Sequence, residues 1–167
     1  MELRVREIDL ARLEAEAQIV AALAHDIWTE YYIPIIGAAQ VDYMLREFQS
    51  AARIAQDVRD KGFRYWIAED GEVPIGYCGA VLESTRVFVS KIYILKSHRG
   101  RGVSRRFLET LESWRSEAQV PTIELTVNKY NSDTIAAYTR LGFVITQDLV
   151  ADIGGGFVMD DYLMVRA

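Results

Sequence analysis

The sequence predicts an α/β fold of the α+β kind, a mixed sheet with helices packed on its faces. Three observations predict it. Apolar residues recur at helical spacing between Leu10 and Gly62, residues 63–95 change to strand-like runs, and the remainder alternates the two patterns. At 167 residues the chain suits one domain, residues 1–167, with a core of its own. No repeat, low-complexity tract or linker divides it.

The elements follow in order. ELRVRE alternates and reads as a first strand. Leu13, Ala17, Val20, Ala24, Ile27 and Tyr31 mark a helix over Leu10–Tyr31, after which Pro34 and Gly37 punctuate the chain. Val41, Met44, Leu45, Phe48, Ala55 and Val58 form one stripe, predicting a second helix that ends at Gly62. FRYWIAED and PIGYCGAVLE are strands joined across Asp70-Gly71, a hairpin signal. RVFVSKIYIL, residues 86–95, is a third consecutive strand. A helix carrying Val103, Phe107, Leu108, Leu111 and Trp114 follows, then a strand at 122–128 and a short helix ending on Gly142. Strands around FVITQDLV and FVMDDYLMV come last.

Composition narrows the function. The formal charge is -5, from 24 acids against 19 bases, which disfavours a nucleic-acid partner that would need a basic face. No apolar run approaches the ~20 residues of a membrane span, and MELRVREIDL has charges where a signal peptide needs an apolar core. Cys78 is the one cysteine, so no internal disulfide forms, and a cytoplasmic location is expected. His25 and His98 stand too far from other ligand types to suggest a metal site.

Two segments carry chemistry. In SHRGRGVSRRFLETLE, residues 97–112, a strand runs into a glycine-bearing loop that opens a helix. The first turn of such a helix has unpaired N–H groups and the positive end of the helix dipole, which together favour an anion. Gly100 and Gly102 let backbone approach a ligand, and Arg99, Arg101, Arg105 and Arg106 add charge. The Walker loop's lysine is missing after Gly102, and Arg105 stands where a dinucleotide fingerprint needs a glycine, so the loop itself specifies only a phosphate or pyrophosphate. In LTVNKYNSDTIAAYTRLGF, residues 125–143, Asn131 and Tyr138 are two helical turns apart and share a face. Asn131 also suits an N-cap, and Tyr138 a core aromatic.

In this order and on these elements, the segment from Tyr65 to Phe143 resembles the GNAT superfamily of acetyl-CoA-dependent N-acetyltransferases. The family's pyrophosphate motif reads here Arg99-Gly100-Arg101-Gly102-Val103-Ser104, with Ser104 departing from the usual Gly or Ala but still small. Its second motif reads Asn131, Tyr138 and Leu141-Gly142-Phe143. The resemblance implies the GNAT fold, with acetyl-CoA as co-substrate wedged where strands Val87–Leu95 and Thr122–Asn128 splay apart, and no metal. It implies that Ile92, Tyr93 and Ile94 pair with the pantetheine arm and that the Arg99–Ser104 amides cradle the pyrophosphate. Asn131 would fix the turn and reach the pantetheine or a water, and Tyr138 would protonate the departing sulfur. A primary amine would attack the thioester directly, without an acyl-enzyme.

The general base is not carried over, because Thr126 stands where some members have a glutamate. Glu83 and Glu124 are the candidates taken forward, beside Asp160 and Asp161. An alkylamine of pKa ~10.4 lies ~3.4 units from neutrality at pH 7, about 4.6 kcal/mol, so a missing base favours a low-pKa amine or a water relay. For the acceptor pocket the candidates are Trp28, Tyr31, Tyr32 and Asp160, aromatics and a carboxylate that suit a cationic small-molecule amine. A peptide amine is the next option, and a CoA-binding module without turnover is the rival. The Gly154–Gly156 run reads as a plain turn or a lid, and open sheet edges make a homodimer plausible.

Overall fold

The computed structural model describes residues 1–167. In chain order the elements are β1 (Leu3–Glu7), α1 (Leu13–Ile36), α2 (Ala38–Phe48), α3 (Ala51–Asp60), β2 (Arg64–Asp70), β3 (Val73–Leu82), β4 (Arg86–Ile94), α4 (Val103–Ala118), β5 (Thr122–Asn128), α5 (Ser132–Arg140), β6 (Val144–Gly154) and β7 (Phe157–Arg166). Seven strands form one sheet in the order β1-β2-β3-β4-β5-β7-β6. Every neighbouring pair is antiparallel except β4 and β5. No helix is long and apolar enough to cross a membrane.

The first half departs from expectation in two places. α1 runs past Pro34 to Ile36, so Pro34 lies in its last turn. The missing proline N–H removes one bond there, and the helix stops three residues later at Gly37, whose φ of 89° a side chain would resist. The single second helix is two. Ser50 takes an extended backbone and accepts the N–H of Arg53, ending one helix and capping the next.

The sheet separates two cores, as side-chain alternation requires. Ile67 and Tyr77 point toward α1–α3 with Val20, Ile27 and Ile54. Trp66, Cys78, Val87, Val89, Ile123, Leu125 and Val127 point toward α4 and α5, where Phe107, Leu111 and Tyr138 meet them.

One irregularity matters for everything downstream. β3 and β4 pair Gly79 with Lys91 but Ala80 with Val89, so Ser90 is an extra residue, a bulge. The parallel pairing of β4 with β5 ends at the same point, with Val89 opposite Leu125. Bulges bend a strand and sharpen its twist. Beyond this one, β4 stays with β3 up to Ile94 while β5 stays with β7 up to Asn128, and a gap opens between them.

Gly79, opposite the bulge on β3, leaves room for the ring of Tyr65, its partner on β2. A Cβ there would stand 2.7 Å from the Tyr65 ring, which is fully buried. Gly79→Ala is therefore expected to cost about 1–3 kcal/mol through overpacking; urea unfolding at the wild-type midpoint would contradict this packing.

Candidate active site

The gap between β4 and β5 continues into a cleft of about 630 Å³. Its walls are the end of α1 (Ile27, Tyr31, Tyr32), the gap strands, the 98–105 loop and α5 through Tyr138 to Leu141.

Backbone groups line the gap by simple alternation. In an antiparallel pair, every second residue turns its N–H and C=O toward the partner. The Leu95 N–H donates to Ile75 of β3, so Tyr93 and Lys91 face β3 as well. Ile92 and Ile94 then face the gap. The Ile94 carbonyl already accepts Arg99 Nε at 3.1 Å, tying the loop to the strand. Of the three residues expected to offer backbone, Tyr93 instead contributes its side chain.

The loop ends in an uncapped helix. Gly102, the N-cap of α4, has φ 82° and no side chain to accept an N–H, and the first helical bond comes from Arg106. The amides of Val103, Ser104 and Arg105 therefore lack the side-chain cap that Ser50 gives α3 and Asn131 gives α5. Open space surrounds Gly100 and Gly102 where a Cβ would stand. Although the chain is acidic overall, Arg99, Arg105, Arg140 and His98 line this end against one carboxylate, Asp133. Arg99 lies 4.4 Å over the Tyr31 ring, and His98 Nε2 is 3.0 Å from Asp70 Oδ2. Arg101 is exposed and does not line the cleft.

Tyr138 lines the cleft from α5 and is 6% exposed, its ring 5.7 Å from Phe143. Burial holds its phenol protonated well above the usual tyrosine range, and no hydrogen bond from the protein opposes this. Asn131 has both roles its position suggested. Its Oδ1 accepts the Thr134 N–H as a cap, and it also accepts the Tyr31 hydroxyl, pinning α1 to α5.

Several expected residues are elsewhere. Glu83 and Glu124 lie at the paired end of the sheet, before the gap, and both are held by Arg86, at 2.7 and 2.9 Å. Neither lines the cleft. Trp28 is 2% exposed and serves as a core wall behind Tyr32 and Tyr93, ring centroids 6.0 and 5.3 Å away. Asp160 is paired with Lys129 at 2.8 Å. Asp161, one residue on and facing the opposite side of β7, is the buried one, and Oδ1 has no partner. Burial, with Asp160 nearby, pushes its carboxyl up to about 6. The half-buried Lys91 is pushed down to about 8 by desolvation. The glycine run is a packed turn: Tyr43 donates to the Ile153 carbonyl at 2.8 Å, and its ring occupies the space beside Gly154 and Gly155.

Ser90, unremarked in the sequence, and Thr126, noted there only for lacking a carboxylate, flank the gap and line the cleft. One signal was available. The inward apolar positions of β4 are Val87, Val89, Ile92 and Ile94, a period-two pattern that slips by one residue at the bulge.

Residues 20–143 match the family described as Acetyltransferase (GNAT) family, and the chain belongs to it. Solved structures share the whole fold at low identity. PaiA N-acetyltransferase from Thermoplasma acidophilum, in complex with coenzyme A, is 17% identical with a TM-score of 0.78, covering 99% of both chains. A GNAT acetyltransferase from Streptococcus pneumoniae is 20% identical with a TM-score of 0.69, again over 99% of both chains. The protein yncA from Salmonella typhimurium, with its cofactor acetyl-CoA, is 19% identical with a TM-score of 0.60, over 99% of this chain and 93% of that one. No curated protein sequence matches significantly.

Asn131→Ala is expected to lower unfolding free energy by about 1 kcal/mol, through the lost cap and the Tyr31 bond. Asn131→Ser, which can restore the cap alone, should lose less. An alanine variant as stable as wild type in urea would contradict both bonds.

Proposed function

We propose that the protein is an N-acetyltransferase that transfers the acetyl group of acetyl-CoA to a primary amine of a small molecule by direct attack. The observation that carries this reading is the uncapped, glycine-opened start of α4, continuous with the gap between β4 and β5. The likeness to structures holding coenzyme A and acetyl-CoA supports it.

The residues fit such a carrier. Amides of Val103, Ser104 and Arg105, with Arg99 and Arg105 beside them, would hold the diphosphate. Ile92 and Ile94 would offer backbone partners to the extended arm, much as a missing strand would. When bound, acetyl-CoA supplies an acyl group activated as a thioester. Its carbonyl oxygen gains charge during attack, and an N–H on the gap edge of β4 would stabilise it. Tyr138, held protonated by burial, can donate to a departing thiolate, which has a lower reference pKa than a phenol and therefore needs a close, desolvated donor. The proton that the amine nitrogen gives up leaves to solvent, from which Tyr138 is reprotonated.

A peptide amine remains an alternative acceptor. A carrier-binding module without turnover is the rival, favoured by the absence of Glu83 and Glu124 from the cleft. Incubation with acetyl-CoA and a panel of amines, read as free thiol, separates enzyme from module; tight CoA binding with no release from any amine would support the module. The buried, unpaired Cys78 supports a cytoplasmic location, and Val144, Ile145 and Val150, exposed on edge strand β6, support a homodimer.

Two variants test the assignment. Tyr138→Phe should lower kcat by ~10²-fold while CoA affinity stays near wild type; unchanged turnover would place the leaving-group role on another residue. Gly102→Leu should weaken CoA binding at least ~10-fold in calorimetry, because φ 82° and a bulky side chain together close the approach. Full affinity in that variant would remove the loop from the site.

A further inference from the structure

We propose that the acceptor is an amino acid or a close relative, its ammonium group drawn to Asp161 and its carboxylate to Lys91. This rests on the acetyl-transfer reading above and narrows its acceptor.

The two charges share one face of the sheet. Lys91 pairs across β3 with Gly79, beside Tyr65, on the side of α1–α3. Asp161 pairs with Asn128, on the face opposite inward-pointing Val127 and so on the same side as Lys91. Between them runs β5, so β4 and β7 stand at least roughly 10 Å apart there, two strand spacings. Lys91 and Asp161 do not themselves line the cleft, but Ser90, beside Lys91 on β4, and Thr126 on β5 do, and these two connect this face to the gap.

Neither charge has the partner its burial calls for. The Lys91 ammonium makes one hydrogen bond, to the Ser90 hydroxyl at 2.8 Å. Asp161 is 6% exposed, and its Oδ1 is sealed without a hydrogen bond. The other charges nearby are committed elsewhere. Asp57 on α3 lies 3.0 Å from Arg53 and 3.4 Å from Lys61, and Asp160 lies against Lys129. Lys91 and Asp161 influence each other's titration, yet both are displaced toward their neutral forms, so their mutual attraction does not offset desolvation.

Two opposite, unpaired charges separated on one face complement a ligand that carries both signs. A neutral amine satisfies neither. A purely cationic amine satisfies Asp161 but meets the Lys91 ammonium. An amino acid satisfies both, and its amine then lies on the side of the gap opposite Tyr138, which packs with the α4 core. Tyr32 and Tyr93, their hydroxyls 3.5 Å apart, wall this face.

The test compares protein amino acids with the amines left by their decarboxylation. Binding to the CoA-loaded protein is read by calorimetry, and acetyl transfer from acetyl-CoA is read as released thiol. The best amino acid should exceed its matched amine by at least ~10-fold in kcat/KM. Lys91→Met should bring that ratio to about one, mainly through KM for the acid, while Lys91→Arg should keep it. Asp161→Asn should weaken binding of acid and amine alike. A wild-type preference for decarboxylated amines would overturn the proposal, as would an unchanged ratio in a folded Lys91→Met variant. Charge-selective binding without thiol release from any acceptor would leave the pair standing and sink acetyl transfer. Release confined to amines lacking an acid group would do the reverse.

Discussion

β4 and β5 lie side by side for the pairs Arg86–Thr122 to Val89–Leu125 and then part. That separation leaves backbone donors and acceptors on a central strand without a neighbour, which a folded sheet does not tolerate in its interior unless something else pairs with them. The extra residue at Ser90 occupies the same point of β4. Strand bulge and gap thus meet at one added residue, and the cleft that continues from them is lined by both the mouth of α4 and Tyr138.

The charges obey a different constraint. A protein with five more acids than bases concentrates Arg99, Arg105 and Arg140 at one end of one cleft. It spends most of its other charges in pairs, among them Arg6 with Glu16, Arg53 with Asp57, and Arg86 with both Glu83 and Glu124. Against that background Lys91 and Asp161 stand out. An unpaired charge that is removed from water costs stability, and its retention is easiest to understand where a ligand completes it.

How far the sequence could be read depended on the range of the interaction. The helix mouth was legible, since Arg99 to Ser104 are contiguous and glycines there act through local backbone geometry. Asn131 and Tyr138 were legible because seven residues are two turns of one helix. Glu83 and Glu124 were misplaced for the opposite reason. Whether an acid on a strand reaches the gap depends on where pairing ends, and that register is set between strands distant in sequence. Trp28 fits an aromatic wall by type, but only packing shows that Tyr32 and Tyr93 stand in front of it. The two helices taken for one share a continuous apolar stripe, which the Ser50 cap interrupts without changing its face. Lys91 was visible as the one charge in the interior of RVFVSKIYIL, after Arg86 at its start, and the slipped alternation around it marked the bulge.

The central claim is that free amides at the start of α4 and on the gap edge of β4 grip an acyl carrier. Amide NMR during titration with coenzyme A tests it most directly. The account predicts the largest shifts at Val103, Ser104 and Arg105 and at Ile92 and Ile94, with the amides of β1 and β6 little changed. Saturable binding that leaves those five amides unmoved would contradict it.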